Sequence, residues 1–201
     1  MIPKVVTLAM TGASGAEYTL RLFECCLQKN IQVQFITSQP GQIVLGMETE
    51  LKLSGSPQKM QQKLADYFNA DPALISVYSK DQWTAPPASG SSVADAMVVC
   101  PCSMGSLASI AVGSSENLIH RAADVAIKER RTLILVPRET PFSSIHLENM
   151  LKLSRLGVVI LPPNPGFYHG AKSVAELVDF IVARILDQLG IDNDLSPRWG
   201  N

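Results

Sequence analysis

The sequence is poor in charge. Only 17% of its 201 residues are Asp, Glu, Lys or Arg, and 17 basic against 18 acidic side chains leave a net charge of −1. A chain so balanced has no electrostatic footprint for nucleic acid or an anionic membrane surface. Long apolar runs are missing too: none reaches the roughly 20 residues needed to span a bilayer. Met1-Ile2-Pro3-Lys4 passes straight into a strand-like segment, so no signal peptide is expected. A cytoplasmic protein is the expectation. Metal-ligand spacing is absent as well. Cys25-Cys26 and Cys100-Pro101-Cys102 are not zinc pairs, and three scattered histidines do not complete a site. The thiols read as reduced and structural, His146 and His169 read as structural, and no metal is expected. What the chain has in quantity is apolar side chain, 46% of its residues. With little charge to cover the surface, part of that apolar area is expected to lie in subunit contacts of a homo-oligomer. The length fits one domain with a substantial core.

Hydrophobic periodicity alternates between strand and helix along the whole chain. Val5–Met10 is an apolar run, followed by Ala16, Leu20, Phe23 and Leu27 at helical spacing. Ile31–Ile36 alternates as a strand; short helices are predicted over 40–49 and 58–69, and a weaker strand over 74–78. The stretch Ala85–Ser92 is too rich in Pro, Gly and Ser for regular structure. Strands follow at 96–100, 132–136 and 158–161, with helices after Ser103 and over 116–130, 143–154 and 173–189. The last helix carries Val174, Leu177, Ile181, Ile185 and Leu189 on one stripe. This alternation specifies an α/β fold, a doubly wound open parallel sheet of Rossmann or flavodoxin-like kind in a single domain. The domain is expected over 1–190, with 191–201 as a tail.

In such sheets the ligand lies beyond the carboxyl ends of the strands, so the residues just after strands matter most. Thr11-Gly12-Ala13-Ser14-Gly15-Ala16 lets a ligand approach the backbone at a helix start, which favours an anion. The full G-x-G-x-x-G fingerprint is absent, and no acidic residue closes the second strand for a ribose. A single phosphate, as in FMN, fits better than a pyrophosphate; small residues there equally serve strand-to-helix packing. Ser38 ends the second strand. Ser103-Met104-Gly105-Ser106 reads as a second cradle or as an ordinary N-cap. Arg138-Glu139, boxed by Pro137 and Pro141 directly after an apolar strand, favours a functional role. Arg121 and Lys128 share a helix face, which spacing alone assigns to solvent. Glu48 and Tyr168 are suggestive by setting, and Arg184 in an apolar helix needs either an anionic partner or room to snorkel.

Together these segments resemble the flavin prenyltransferase (UbiX) family. The pieces that carry the resemblance are Thr11–Ala16, Trp83–Ser92, Pro101–Leu107 (Ser106 where Thr is frequent), Asn117–Lys128, Leu135–Met150, Pro165–His169 and Pro197–Gly200. The resemblance implies a metal-independent transferase that alkylates reduced FMN, itself a substrate, with dimethylallyl phosphate. The prenylated FMN would serve a UbiD-type decarboxylase, as in ubiquinone biosynthesis. Carried over by position, Gly12, Ala13, Ser14, Ser38, Ser103, Met104, Gly105, Ser106 and Arg138 would hold FMN. Tyr168 and Arg184 would bind the prenyl phosphate, with Arg121, Lys128 and Glu139 nearby; Glu48 and Trp199 match active-site positions, so the tail would contribute to the site. Catalytic roles fall to Ser14, Glu48, Arg121, Lys128 and Glu139. Members form large homo-oligomers with sites at subunit junctions, and a dodecamer is expected. Two other readings stay open: an FMN-dependent cysteine decarboxylase, whose Pro-x-Met-Asn motif is absent, and a non-catalytic FMN-binding protein.

Overall fold

The computed structural model describes residues 2–198 and 200. Six parallel strands form one sheet: β1 (Val5–Met10), β2 (Gln32–Thr37), β3 (Ile75–Tyr78), β4 (Ala96–Cys102), β5 (Thr132–Pro137) and β6 (Val159–Ile160). Their spatial order is β3-β2-β1-β4-β5-β6, the doubly wound dinucleotide-fold order rather than the flavodoxin order. Seven helices connect or flank them: α1 (Ala16–Gln28), α2 (Gln39–Glu48), α3 (Pro57–Phe68), α4 (Met104–Ala111), α5 (Leu118–Lys128), α6 (Ser144–Arg155) and α7 (Val174–Leu189).

The strands are apolar along their length because both faces are covered. Val6, Leu8 and Met10 of β1 join one core with Val98 and Cys100 of β4 and Ile134 and Val136 of β5, under α1, α3 and α7. Ala9, Met97, Val99, Leu133 and Leu135 point the other way, into a second core under α4, α5 and α6. The period-2 alternation of strands thus divides the molecule into two packed layers. α1, α2 and α3, which precede β4, cover one face together with the returning α7, and α4, α5 and α6 cover the other. The crossing falls between β1 and β4, which pair in register from Val6–Ala96 to Ala9–Val99.

Two segments depart from the sequence pattern. The Pro-rich stretch is not wholly irregular: Pro86–Ala88 and Gly90–Ser92 each form a 3-10 turn. In α7 the buried positions are Val178, Ile181, Val182, Ala183, Ile185, Leu186 and Leu189, whereas Val174 is 74% exposed. The first turn of α7 stands clear of the sheet, so its stripe begins one turn later than periodicity suggests.

The start of α2 is seated against the tips of β1 and β2. The Ser38 amide donates to Met10 O at 3.1 Å, and Ser38 Oγ accepts from the Gly41 amide at 3.0 Å. A Cβ on Gly41 would stand 2.8 Å from Met10 O and 2.9 Å from Thr37 Oγ1. Overpacking at such a point costs about 1–3 kcal/mol. Gly41→Ala is expected to lower stability by that amount in urea denaturation; an unchanged midpoint would show that α2 is not wedged there.

Candidate functional site

At the crossing, two adjacent parallel strands send their chains to opposite faces, and a crevice opens between the loops that follow them. Thr11 stitches these loops together. Its hydroxyl donates to Pro101 O at 2.9 Å and accepts from the Ser103 amide at 2.7 Å, while its own amide donates to Pro101 O at 3.2 Å. Thr11 is buried. Its role as a clamp leaves no signature in sequence, where it reads only as part of a turn.

Most of the predicted residues meet at this crevice. Gly12, Ala13 and Ser14 form the β1–α1 turn, and a Cβ on Gly12 would meet Pro40 Cβ at 2.5 Å. Ser38 caps α2 and Ser103 caps α4. Ser103 Oγ donates to Ser106 Oγ at 3.1 Å and accepts from the Ser106 amide at 3.4 Å. Arg138, at the end of β5, reaches across so that Nε donates to Ser14 O at 3.3 Å. Glu139 follows it, half-buried, with its carboxylate accepting from the Thr140 amide at 3.1 Å.

Glu48 alters the reading of the first turn. Its carboxylate accepts from the Gly15 amide at 2.9 Å and the Ala16 amide at 2.8 Å, so the start of α1 already holds an anion. Desolvation pushes the Glu48 carboxyl up. The Ser14 hydroxyl, the Ala16 and Gly15 amides and the Arg138 charge outweigh it and hold the carboxyl below its ordinary value. The start of α4 is different. The first amides of a helix have no partner within it, and a Cβ on Gly105 would meet nothing within 4 Å. The start of α4 is therefore open to a ligand at Met104–Gly105, and Arg138 lies beside it, its amide donating to Cys102 O at 3.3 Å. These residues fit the single phosphate of FMN.

The remaining candidates lie elsewhere in the chain. Tyr168 packs against α7, the helix that carries Arg184. The Tyr168 ring lies edge-on to Phe180 at 6.0 Å, Phe180 stacks on His169 at 5.1 Å, and Arg184 is one turn beyond Phe180. Arg184 pairs with Asp187 at 2.7 Å. On the opposite face, Arg121 Nε donates to Ala88 O at 3.1 Å and the guanidinium pairs with Asp124 at 3.0 Å. Lys128 ends α5 beside the start of β5 and pairs with Glu129. It rims a cavity of about 580 Å³ with Arg130, Arg131 and Arg155. The six residues of β5 put roughly 17–20 Å between that edge and the crevice. That length keeps Lys128 of the same chain away from Ser14, Ser103 and Arg138. Trp199 lies outside the described residues.

All four cysteines are free and buried, and burial pushes the thiols of Cys25 up to about 11 and Cys100 up to about 12, so neither is a ready nucleophile. Among the described residues, no group of three or more His, Cys, Asp or Glu side chains could hold a metal ion, and no helix is long and apolar enough to cross a membrane.

An α/β flavoprotein is what this fold and crevice define, and the flavoprotein family model matches residues 2–186. Flavin prenyltransferase UbiX of Pseudomonas aeruginosa is 59% identical over 198 residues, 98% of this chain and 95% of the relative. The UbiX of Methanocaldococcus jannaschii is 45% identical over 97% of this chain and 98% of its own. Among solved structures, AnUbiX in complex with FMN and dimethylallyl pyrophosphate superposes with a TM-score of 0.88 at 38% identity, covering 98% of both chains. A dodecameric FMN-dependent UbiX-like decarboxylase from Escherichia coli gives 0.87 at 37% identity, covering 98% of this chain and 100% of its own. The peptidyl-cysteine decarboxylase EpiD, at 14% identity and a TM-score of 0.55 over 81% of this chain and 82% of its own, shares the fold alone. The chain belongs to the flavin prenyltransferase family.

The Glu48 contact has a pH signature. A carboxyl held below its ordinary value adds stability above about pH 4.3, and loses it as pH falls through the lowered folded value. Glu48→Gln is expected to cost about 0.5–1 kcal/mol at pH 7, the small end for a capping anion because the side chain is solvent-exposed. The gap between variant and wild type in urea denaturation should close below pH 4. A gap that persists there would show that the charge is not what counts.

Proposed function

We propose that the protein transfers a dimethylallyl group from dimethylallyl phosphate to reduced FMN, and that the prenylated FMN is passed to a UbiD-type decarboxylase, as in ubiquinone biosynthesis. The observation that carries the flavin part is the open α4 start in a crevice clamped by Thr11, with Arg138 joining the end of β4 to the β1–α1 turn. Met104 and Gly105 amides, with the Ser103 and Ser106 hydroxyls, would take the FMN phosphate; Gly12, Ala13, Ser14 and Ser38 would line the ring side. Free, buried thiols accord with a reducing cytoplasm.

Reduced FMN, when bound, supplies the nucleophilic nitrogen and neighbouring ring carbon that receive the prenyl unit. The chain's own work is to hold the donor and carry the charge that grows on the departing phosphate. Tyr168 and Arg184 would grip the phosphate, joined by Arg121 and Lys128. These lie on opposite faces of one sheet, so they can share a phosphate only if different copies of the chain supply them. The dodecameric relative and the charge-poor composition support a site of that kind. The apolar Ala85–Ala88 turn, tied to Arg121, would keep water from the allylic carbon. Glu139 would take up the proton released on ring closure, and Ser14 with Glu48 would orient the flavin edge. The 191–201 tail, with Trp199, would close the donor side.

Three measurements test this. Incubating the protein with reduced FMN and dimethylallyl phosphate should yield FMN heavier by one prenyl unit; unchanged FMN would leave only a flavin carrier. Lys128→Ala and Arg184→Ala should bind FMN as wild type does but turn over roughly 10²–10³ times more slowly, the loss expected for one preorganised charged contact. Mixing refolded Lys128→Ala and Arg138→Ala chains should restore part of the activity, because some junctions then hold one intact set. No recovery would mean that a single chain supplies the whole site.

A further inference from the structure

Helix α7 ends in a cluster around Asp187, a residue to which the proposed reaction gives no role. One oxygen of Asp187, Oδ2, accepts from Arg184 Nη1 and from Arg198 Nη1, each at 2.7 Å. The other oxygen accepts from Asn193 Nδ2 at 3.2 Å. Arg184 belongs to the helix; Asn193 and Arg198 belong to the chain that turns back after Gly190. The Asp187 side chain is only 17% exposed. Burial raises its carboxyl, but Arg198, Asn193 and Arg184 outweigh that and hold it below its ordinary value, so it stays anionic.

The tail has few other polar attachments. Ile191 is buried and its amide donates to Leu186 O at 2.9 Å, and Leu195 packs on the core under α1 and α7. Arg198 Nη2 donates to Asn193 O at 3.3 Å, which ties the tail only to itself. Asn193 Oδ1 and Ser196 Oγ are buried with no hydrogen-bond partner among the described residues. Unpaired buried atoms cost stability, so the seating of 192–198 depends heavily on Asp187.

We propose that Asp187 is a positioning residue that couples the donor phosphate at Arg184 to the closing of the C-terminal tail. The coupling follows from sharing. Two guanidiniums on one oxygen repel each other and divide its charge. A phosphate that draws Arg184 away leaves the whole carboxylate to Arg198 and Asn193, and the tail tightens. By reciprocity, a seated tail favours the phosphate. This rests on the reading of Arg184 as a phosphate contact.

Hydrogen–deuterium exchange on the assembled protein, loaded with oxidised FMN so that no turnover occurs, tests it. Dimethylallyl phosphate should slow exchange over 191–198 in wild type. Asp187→Asn should speed that exchange without ligand, abolish the ligand effect and raise KM for the donor about tenfold with FMN affinity unchanged, within the 5–150-fold range of such couplings. Asp187→Glu should restore part of each. Arg198→Ala should free the tail while leaving α7 intact. Arg184→Ala should keep the tail slow without ligand but lose the response to dimethylallyl phosphate. Unchanged exchange in Asp187→Asn, or a response that survives Arg184→Ala, overturns the coupling. An unchanged donor KM in Arg184→Ala would instead remove the phosphate reading of Arg184, while ligand-free exchange in Asp187→Asn still judges the clasp.

Discussion

The hydrogen bonds of Thr11 hold together the place where the chain changes sides of its sheet. β1 and β4 are neighbours and parallel, yet the chain leaves them toward opposite faces, so their ends would splay without a bridge. A hydroxyl that donates to Pro101 O and accepts from the Ser103 amide closes that gap in the smallest space available. Everything proposed for the flavin depends on it. The Gly12–Ser14 turn, the Ser103–Ser106 helix start and the reach of Arg138 to Ser14 keep their spacing only while these two loops are clamped.

Two of the helix starts at this crevice, those of α1 and α4, look equivalent as backbone, since both present free amides and the positive end of a dipole. They differ because α2 delivers Glu48 to one of them. With a carboxylate on Gly15 and Ala16, a second anion is repelled from α1 and steered toward α4. Arg138 lies between the two positions and reduces their mutual repulsion. A crevice that fills one cradle with its own side chain is suited to one phosphate rather than two, which agrees with the absence of an acidic ribose contact at the end of β2.

Much of this was legible in sequence, and for identifiable reasons. Strands buried on both faces read as apolar runs, and helices with one packed face read as stripes, so element order follows from periodicity, whereas the crossing between β1 and β4 comes only from the strand order. Residues just after strands were picked out by the rule that ligands sit at carboxyl ends. What periodicity could not supply was contact across long separations. Glu48 on the α1 amides spans 32 residues, and Thr11 with Ser103 spans 92; neither leaves a local pattern. The Val174 stripe failed for a related cause, because spacing shows which side chains share a face but not where the sheet beneath them stops.

The cations proposed for the prenyl phosphate share a further property. Arg121 is paired with Asp124, Lys128 with Glu129 and Arg184 with Asp187, each carboxylate within three residues along the chain. The Arg121 and Lys128 pairs are solvent-accessible and contribute no more than about 1 kcal/mol, so a phosphate dianion gives up little by displacing them, whereas Arg184 is held to a less exposed Asp187. The same contacts made in a junction closed to water are far stronger, because the effective dielectric falls. Self-pairing tempers each of these three cations in an isolated chain, and their proposed convergence between copies would produce the field that acts on a leaving phosphate. Charge scarcity and subunit-shared chemistry are, on this reading, one constraint: the chain carries few cations, and each is useful only where another copy completes the set.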